Sequence, residues 1–159
     1  VSDESKALVA ISKGEAWLEK ATDINDMLDG RDMALAAAVF ANAQGFREVA
    51  QKAKVFQLKA ERKAGAWLTK YGPRQGGDHK SNRAASGLKL EDLDIDEHES
   101  RNWQVEARLP DRAFHTWTDD CLSTAKEISA AGLRRQVREF ERECRVAEDV
   151  QAAEALPDR

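Results

Sequence analysis

Between Phe46 and Trp67 the apolar side chains return at alternating steps of three and four: Phe46, Val49, Ala53, Phe56, Ala60 and, past an interruption at Lys63, Trp67. A helix turns about 100° per residue, so such steps gather side chains on one face, whereas a half-buried strand needs them at every second position. The spacing predicts a long helix with one apolar seam, and a seam of this kind is core rather than a cofactor box. Before it, Thr22 or Asp23 can cap a helix carrying Ile24, Met27, Leu28, Leu35, Ala38 and Val39, and Gln44-Gly45 marks the turn between the two. The alanines allow close approach, so the two helices are expected to pack as an antiparallel hairpin. Gly30 is a weak point there, costing about 1 kcal/mol against alanine. An earlier helix, capped by Ser2 or Asp3, carries Leu8, Ile11 and Leu18 with Trp17 beside them. Residues 1–71 therefore read as a helical hairpin or small bundle.

Composition points the same way. With 34% charged residues, 6% aromatics and three prolines in 159 residues, the chain suits exposed helices better than a sheet. Its length fits one domain, or a small domain with a helical extension. No apolar run is long enough for a bilayer, and no basic segment followed by a hydrophobic stretch opens the chain, so a cytoplasmic protein without membrane contact is expected. Cys121 and Cys144, far apart in sequence, are expected to be reduced structural thiols.

Residues 72–87 change character, with four glycines, one proline and small polar residues. They read as a flexible linker, with Gly72 placed to end the preceding helix. No lysine follows Gly77, so the phosphate-binding-loop pattern fails. From 73 to 90, Arg74, Lys80, Arg83 and Lys89 stand against Asp78 alone, a net charge of +3. A basic linker of this kind can track a phosphate backbone or serve solubility alone.

Residues 88–109, LKLEDLDIDEHESRNWQVEARL, read as a short helix, a tight turn and a second helix. Leu90 and Leu93 share a face, Ile95 is the lone apolar residue of the turn, and Trp103 and Leu109 anchor the second helix. His98, Ser100, Arg101, Gln104 and Arg108 are left as its polar side chains. Two readings fit: a helix-turn-helix offering those five residues to base edges, or an ordinary helical hairpin with a solvated face. Ala113, Phe114 and Trp117 predict one more short helix after Pro110, completing a region over 88–123. Residues 124–159 supply a long amphipathic helix capped by Ser129, with the seam Leu133, Val137, Phe140, Cys144 and Ala147. Its charged flanks put Glu141 within helical pairing distance of both Arg138 and Arg145. Such a helix either packs on the chain or pairs with a second copy, and the seam, lacking an obvious mate, favours a homodimer.

Four segments in order carry a resemblance: AERKAGAWL (Ala60–Leu68), QGGDHKS (Gln75–Ser81), LEDLDIDEHESRNWQ (Leu90–Gln104) and EISAAGLRR (Glu127–Arg135). Together, over about Asp23 to Gln136, the chain resembles a family of small helix-turn-helix proteins of prophages, plasmids and other mobile elements, often encoded near ParB-like proteins or DNA adenine methyltransferases. The family pattern in the third segment is L-x-D-L-G-I-[ST]-K-x-Q-S-S-R-W-Q, matched by Leu90, Asp92, Leu93, Ile95, Ser100, Trp103 and Gln104. The resemblance implies an all-α protein with a helix-turn-helix that binds DNA. This chain departs from the pattern in having Asp94 for the turn glycine, Glu97 for the lysine, and Arg101-Asn102 where serine-arginine is usual.

Two functions remain open on these residues. A regulatory DNA-binding protein would use Arg101 and Gln104, with His98, Ser100 and Arg108, to read bases. Arg74, Lys80, Arg83, Lys89, Arg134 and Arg135 would then contact phosphates. Against this, residues 88–120 carry a net charge of −6. A protein-interaction module would instead dock Asp94, Asp96, Glu97 and Glu99 on a basic partner, such as a DNA-binding protein or host factor, where the carboxylates could mimic nucleic acid. Carboxylates there also have a structural motive, since they complement a helix dipole. Enzyme chemistry and cofactors are not expected. The Asp92, Asp94, Asp96 run lacks the glycine and terminal glutamate of a calcium loop, and neither cysteine has zinc-finger spacing. No serine lies in a G-x-S-x-G setting. His79, His98 and His115 are scattered.

Overall fold

Two apolar stripes on one helix organise the molecule. The computed structural model describes residues 2–73 and 89–157. They form α1 (Asp3–Lys20), α2 (Ile24–Gln44), α3 (Arg47–Tyr71), a 3-10 turn (Leu90–Leu93), α4 (Glu97–Glu106), α5 (Asp111–Ser123) and α6 (Ala130–Glu154). There is no strand among the described residues. On one side of α3, Val49, Ala53, Phe56, Ala60, Ala64 and Leu68 pack with Ile11 and Leu18 of α1, Ile24, Met27, Ala34 and Ala41 of α2, and Trp103 of α4. On the other, Val55 and Leu58 meet Leu109, Phe114 and Cys121 near and within α5, and Leu133 and Val137 of α6. The three-four seam is thus core, with Phe46 and Trp67 half-buried at its ends. The second stripe is short, which is why spacing alone does not show it.

Local signals set the helix ends. Ser2 Oγ accepts from Ser5 N at 3.1 Å, Asp23 Oδ1 from Asn25 N at 2.7 Å, and Ser129 Oγ from Gly132 N at 3.0 Å. Each pairs an amide that the first helical turn would otherwise leave open. Gly45 takes the left-handed conformation (φ 73°) and turns the chain from α2 into α3. Lys63, the break in the seam, finishes α1 instead: its Nζ donates to the carbonyls of Leu18 (2.6 Å) and Glu19 (2.8 Å).

Three expectations need correction. Val39 is 71% exposed, and the buried face of α2 runs through Ile24, Met27, Gly30, Ala34 and Ala41. Gly30 is there because α1 comes close: a Cβ would sit 3.2 Å from a Leu18 methyl carbon. The α6 seam is not a continuous surface for a second copy. Leu133 and Val137 are fully buried inside the chain and Phe140 is half-buried, while Cys144 and Ala147 are exposed. Phe114 of α5 is the mate that the sequence did not reveal.

Candidate nucleic-acid interface

The backbone leads into α4 through a corner built by Asp94. Its φ of 54° and ψ of 40° are left-handed, a region that Asp tolerates better than most residues. Asp94 N and Ile95 N donate back to the carbonyls of Glu91 (3.2 Å) and Leu90 (3.1 Å). Ile95 is buried, and Leu90 and Leu93 pack on the first core beside Trp103. The first arm is therefore a single 3-10 turn among the described residues. Asp96 then caps α4, its Oδ1 accepting from Glu99 N at 2.7 Å.

Gly65 fixes where α4 crosses α3. A Cβ there would overlap the Trp103 carbonyl and lie 2.8 Å from Gln104 N, so the two backbones approach as only glycine permits. The Trp103 ring enters the first core, with the Arg31 guanidinium 5.0 Å from its centroid. At the far end, Arg62 of α3 gathers the corner between α4 and α5. It donates to the carbonyls of Glu106 (3.3 Å) and Leu109 (2.6 Å) and to Asp111 Oδ1 (3.0 Å), while lying 4.2 Å over the Phe114 ring. These contacts hold α4 rigidly by its inner face.

A carboxylate is buried beneath α4. Glu106 has no exposed surface, its Oε1 accepts from Arg134 Nη1 at 2.8 Å, and its Oε2 has no hydrogen-bond partner among the described residues. Burial pushes its carboxyl up to about 7, and the nearby Glu61 carboxylate adds to that, against the pull of Arg134. Glu61 is itself held by Arg31 Nε (3.0 Å) and Gln57 Nε2 (2.8 Å).

The expected base-reading residues divide accordingly. Arg101 is exposed with no ion pair among the described residues, and His98 is exposed with a ring nitrogen 3.2 Å from Asn102 Nδ2. Arg108 is exposed but forms a two-point pair with Glu141 of α6, at 2.8 and 3.3 Å. Gln104 is half-buried, donating to Ser100 Oγ (3.0 Å) with Thr69 Oγ1 on its carbonyl oxygen (3.3 Å). Ser100, at 2% exposure, faces the protein and cannot reach a base, which corrects that expectation. A small hydroxyl satisfied by Gln104 is readily buried, and nothing in its local sequence separates it from an exposed serine. Arg101, Gln104 and Arg108 do share a shallow recess of about 420 Å³ with Thr69 and Val105.

Among the phosphate candidates, Arg74, Lys80 and Arg83 lie outside the described residues. Lys89 is exposed at the entry to the 3-10 turn and Arg135 is exposed on α6. Arg134 is engaged by Glu106, a buried role that removes it from the phosphate set. Of the acidic group, Asp94, Asp96 and Glu97 are exposed and Glu99 is half-buried. No group of three or more His, Cys, Asp or Glu is arranged for a metal ion among the described residues, nor is any helix there long and apolar enough to cross a membrane. Cys121 is buried and Cys144 exposed, both as free thiols. No family model, curated protein or solved structure matches this chain.

Proposed function

We propose that the chain is a non-enzymatic, regulatory DNA-binding protein that offers the outer face of α4 to a major groove. The 3-10 turn and the Asp94 corner would serve as the preceding arm of a helix-turn-helix. The observation that carries this reading is Arg101: an exposed guanidinium, with no ion pair among the described residues, at the middle of a helix whose opposite face is locked by Trp103 and Gly65. A rigidly mounted arginine suits the paired acceptors of guanine. Gln104 and Arg108 flank it in the same recess. The sequence resemblance to helix-turn-helix proteins of mobile elements supports the same reading, which requires no second copy.

A second reading, docking on a basic protein, draws on the exposed carboxylates of Asp94 and Glu97. Asp96, although exposed, is engaged as a helix cap, which leaves that surface small. Selection from a random duplex pool, followed by binding across a salt series, separates the two. A DNA reader enriches a motif and loses affinity steeply as salt rises. Arg101→Ala then relaxes preference at one base pair by about 1–3 kcal/mol. No enrichment, together with loss of a captured protein on Glu97→Lys, sinks the DNA reading and establishes the other.

A further inference from the structure

Four arginines on α6 form a ladder that no contact within the described chain uses. Arg135, Arg138, Arg142 and Arg145 follow at steps of three, four and three, which places them on one side of the helix. All four are exposed, and none takes part in an ion pair among the described residues. The sequence puts Glu141 within reach of both Arg138 and Arg145, yet the structure gives that carboxylate to Arg108, just past the end of α4. Glu143 falls on another side of the helix, while Glu139, at the border of the ladder, accepts from Gln136 Nε2 at 3.5 Å. Asp149, one step past Arg145, closes the ladder.

Like charges at these spacings destabilise a helix by about 0.2–0.5 kcal/mol per pair, and Glu139 and Asp149, four residues past Arg135 and Arg145, make no ion pair with the ladder among the described residues. At about 1.5 Å of rise per residue the ladder runs about 15 Å, with a guanidinium roughly every 5 Å. The four line a shallow surface of about 460 Å³ together with Glu139 and Glu141. An occupant must therefore be an extended polyanion with several regularly placed oxygen acceptors, and the planar guanidinium fork matches phosphate oxygens. The surface adjoins the recess on α4 through the Arg108–Glu141 pair. We propose that this ladder grips the phosphate backbone of the nucleic acid that α4 reads. The proposal rests on the DNA reading, and it assigns base preference to α4 and phosphate affinity to α6.

The test compares wild-type protein, the triple variant Arg138→Gln/Arg142→Gln/Arg145→Gln and Arg101→Ala on labelled duplexes across a salt series, with circular dichroism as the check on folding. The expected result is an affinity loss on the order of 100-fold for the triple variant at about 50 mM salt, equal for all sequences. Its log–log salt slope should be shallower by between about 2 and 3. The companion Arg138→Lys/Arg142→Lys/Arg145→Lys should keep the slope and lose only a few-fold in affinity, because the charge stays and the fork goes. If the glutamine variant stays within twofold of wild type with an unchanged slope, the ladder is overturned, while altered base preference in Arg101→Ala would leave the α4 reading standing. A collapsed salt slope with no effect of Arg101→Ala supports the ladder and removes the base-reading role of α4. Wild-type protein that ignores DNA at low salt overturns both.

Discussion

Replacing Glu106 with glutamine should make the protein more stable at neutral and alkaline pH, although it removes a buried charge that pairs with an arginine. In the folded protein the Glu106 carboxyl lies near 7, against its ordinary 4.5, because it is buried beside Glu61. The native state therefore holds a proton that the unfolded chain releases. The stability from this group is fully present below about pH 4.5 and is lost as pH rises to about 7, a swing of about 3 kcal/mol. Glutamine has no such titration. Its amide oxygen can keep accepting from Arg134, and its NH2 can donate to the neighbouring Glu61 carboxylate. Between about pH 5 and about pH 8 the variant should gain about 2–3 kcal/mol on wild type. Urea titration followed by tryptophan fluorescence reads this as a relative midpoint shift of about 1 M, taking a slope of about 2 kcal/mol per molar. Subtracting the two profiles cancels every other titrating group. Parallel midpoints at both pH values would refute the argument, since they would mean that Arg134 keeps Glu106 ionised throughout.

Two further substitutions probe the backbone. Gly65→Ala should destabilise by about 1–3 kcal/mol, although alanine alone would favour the helix by about 1 kcal/mol, because the new Cβ drives into the Trp103 carbonyl; thermal melts that show a gain would mean α4 does not cross α3 there. Ala125→Gly should stabilise by about 0.5–1 kcal/mol, since Ala125 sits at φ 55° in the turn where Lys126 N returns to the Cys121 carbonyl; a lower urea midpoint would exclude that conformation.

What the sequence revealed follows from which forces are local. The seam through Val49, Ala53, Phe56 and Ala60, the caps at Ser2, Asp23 and Ser129, and the corner at Asp94 depend on spacing or on a residue's own backbone, and they are legible. Leu133 and Val137 show an apolar face but not its mate, so the same stripe fits a second copy or Phe114 equally well. Glu106, Glu61 and Arg62 look like surface charges until α3 is found sandwiched between two cores, and Gly65 looks like a flaw in a helix until α4 crosses it. Of the α4 candidates, Arg101 is exposed and Ser100 is buried, a difference decided by Trp103 setting the helix rotation.

The far half of α6 has a dynamic consequence of its own. From Arg142 to Glu154 every residue is exposed, so these turns are not packed into either core among the described residues. A free helix of that length is marginal in water, and this one persists because the packed turns at Leu133 and Val137 supply its nucleus. Its amides should exchange with deuterium in a gradient, slowest near Val137 and almost unprotected near Glu154. Anything seated on the ladder would slow exchange at its far rungs first, so the fraying end doubles as a built-in reporter of occupancy.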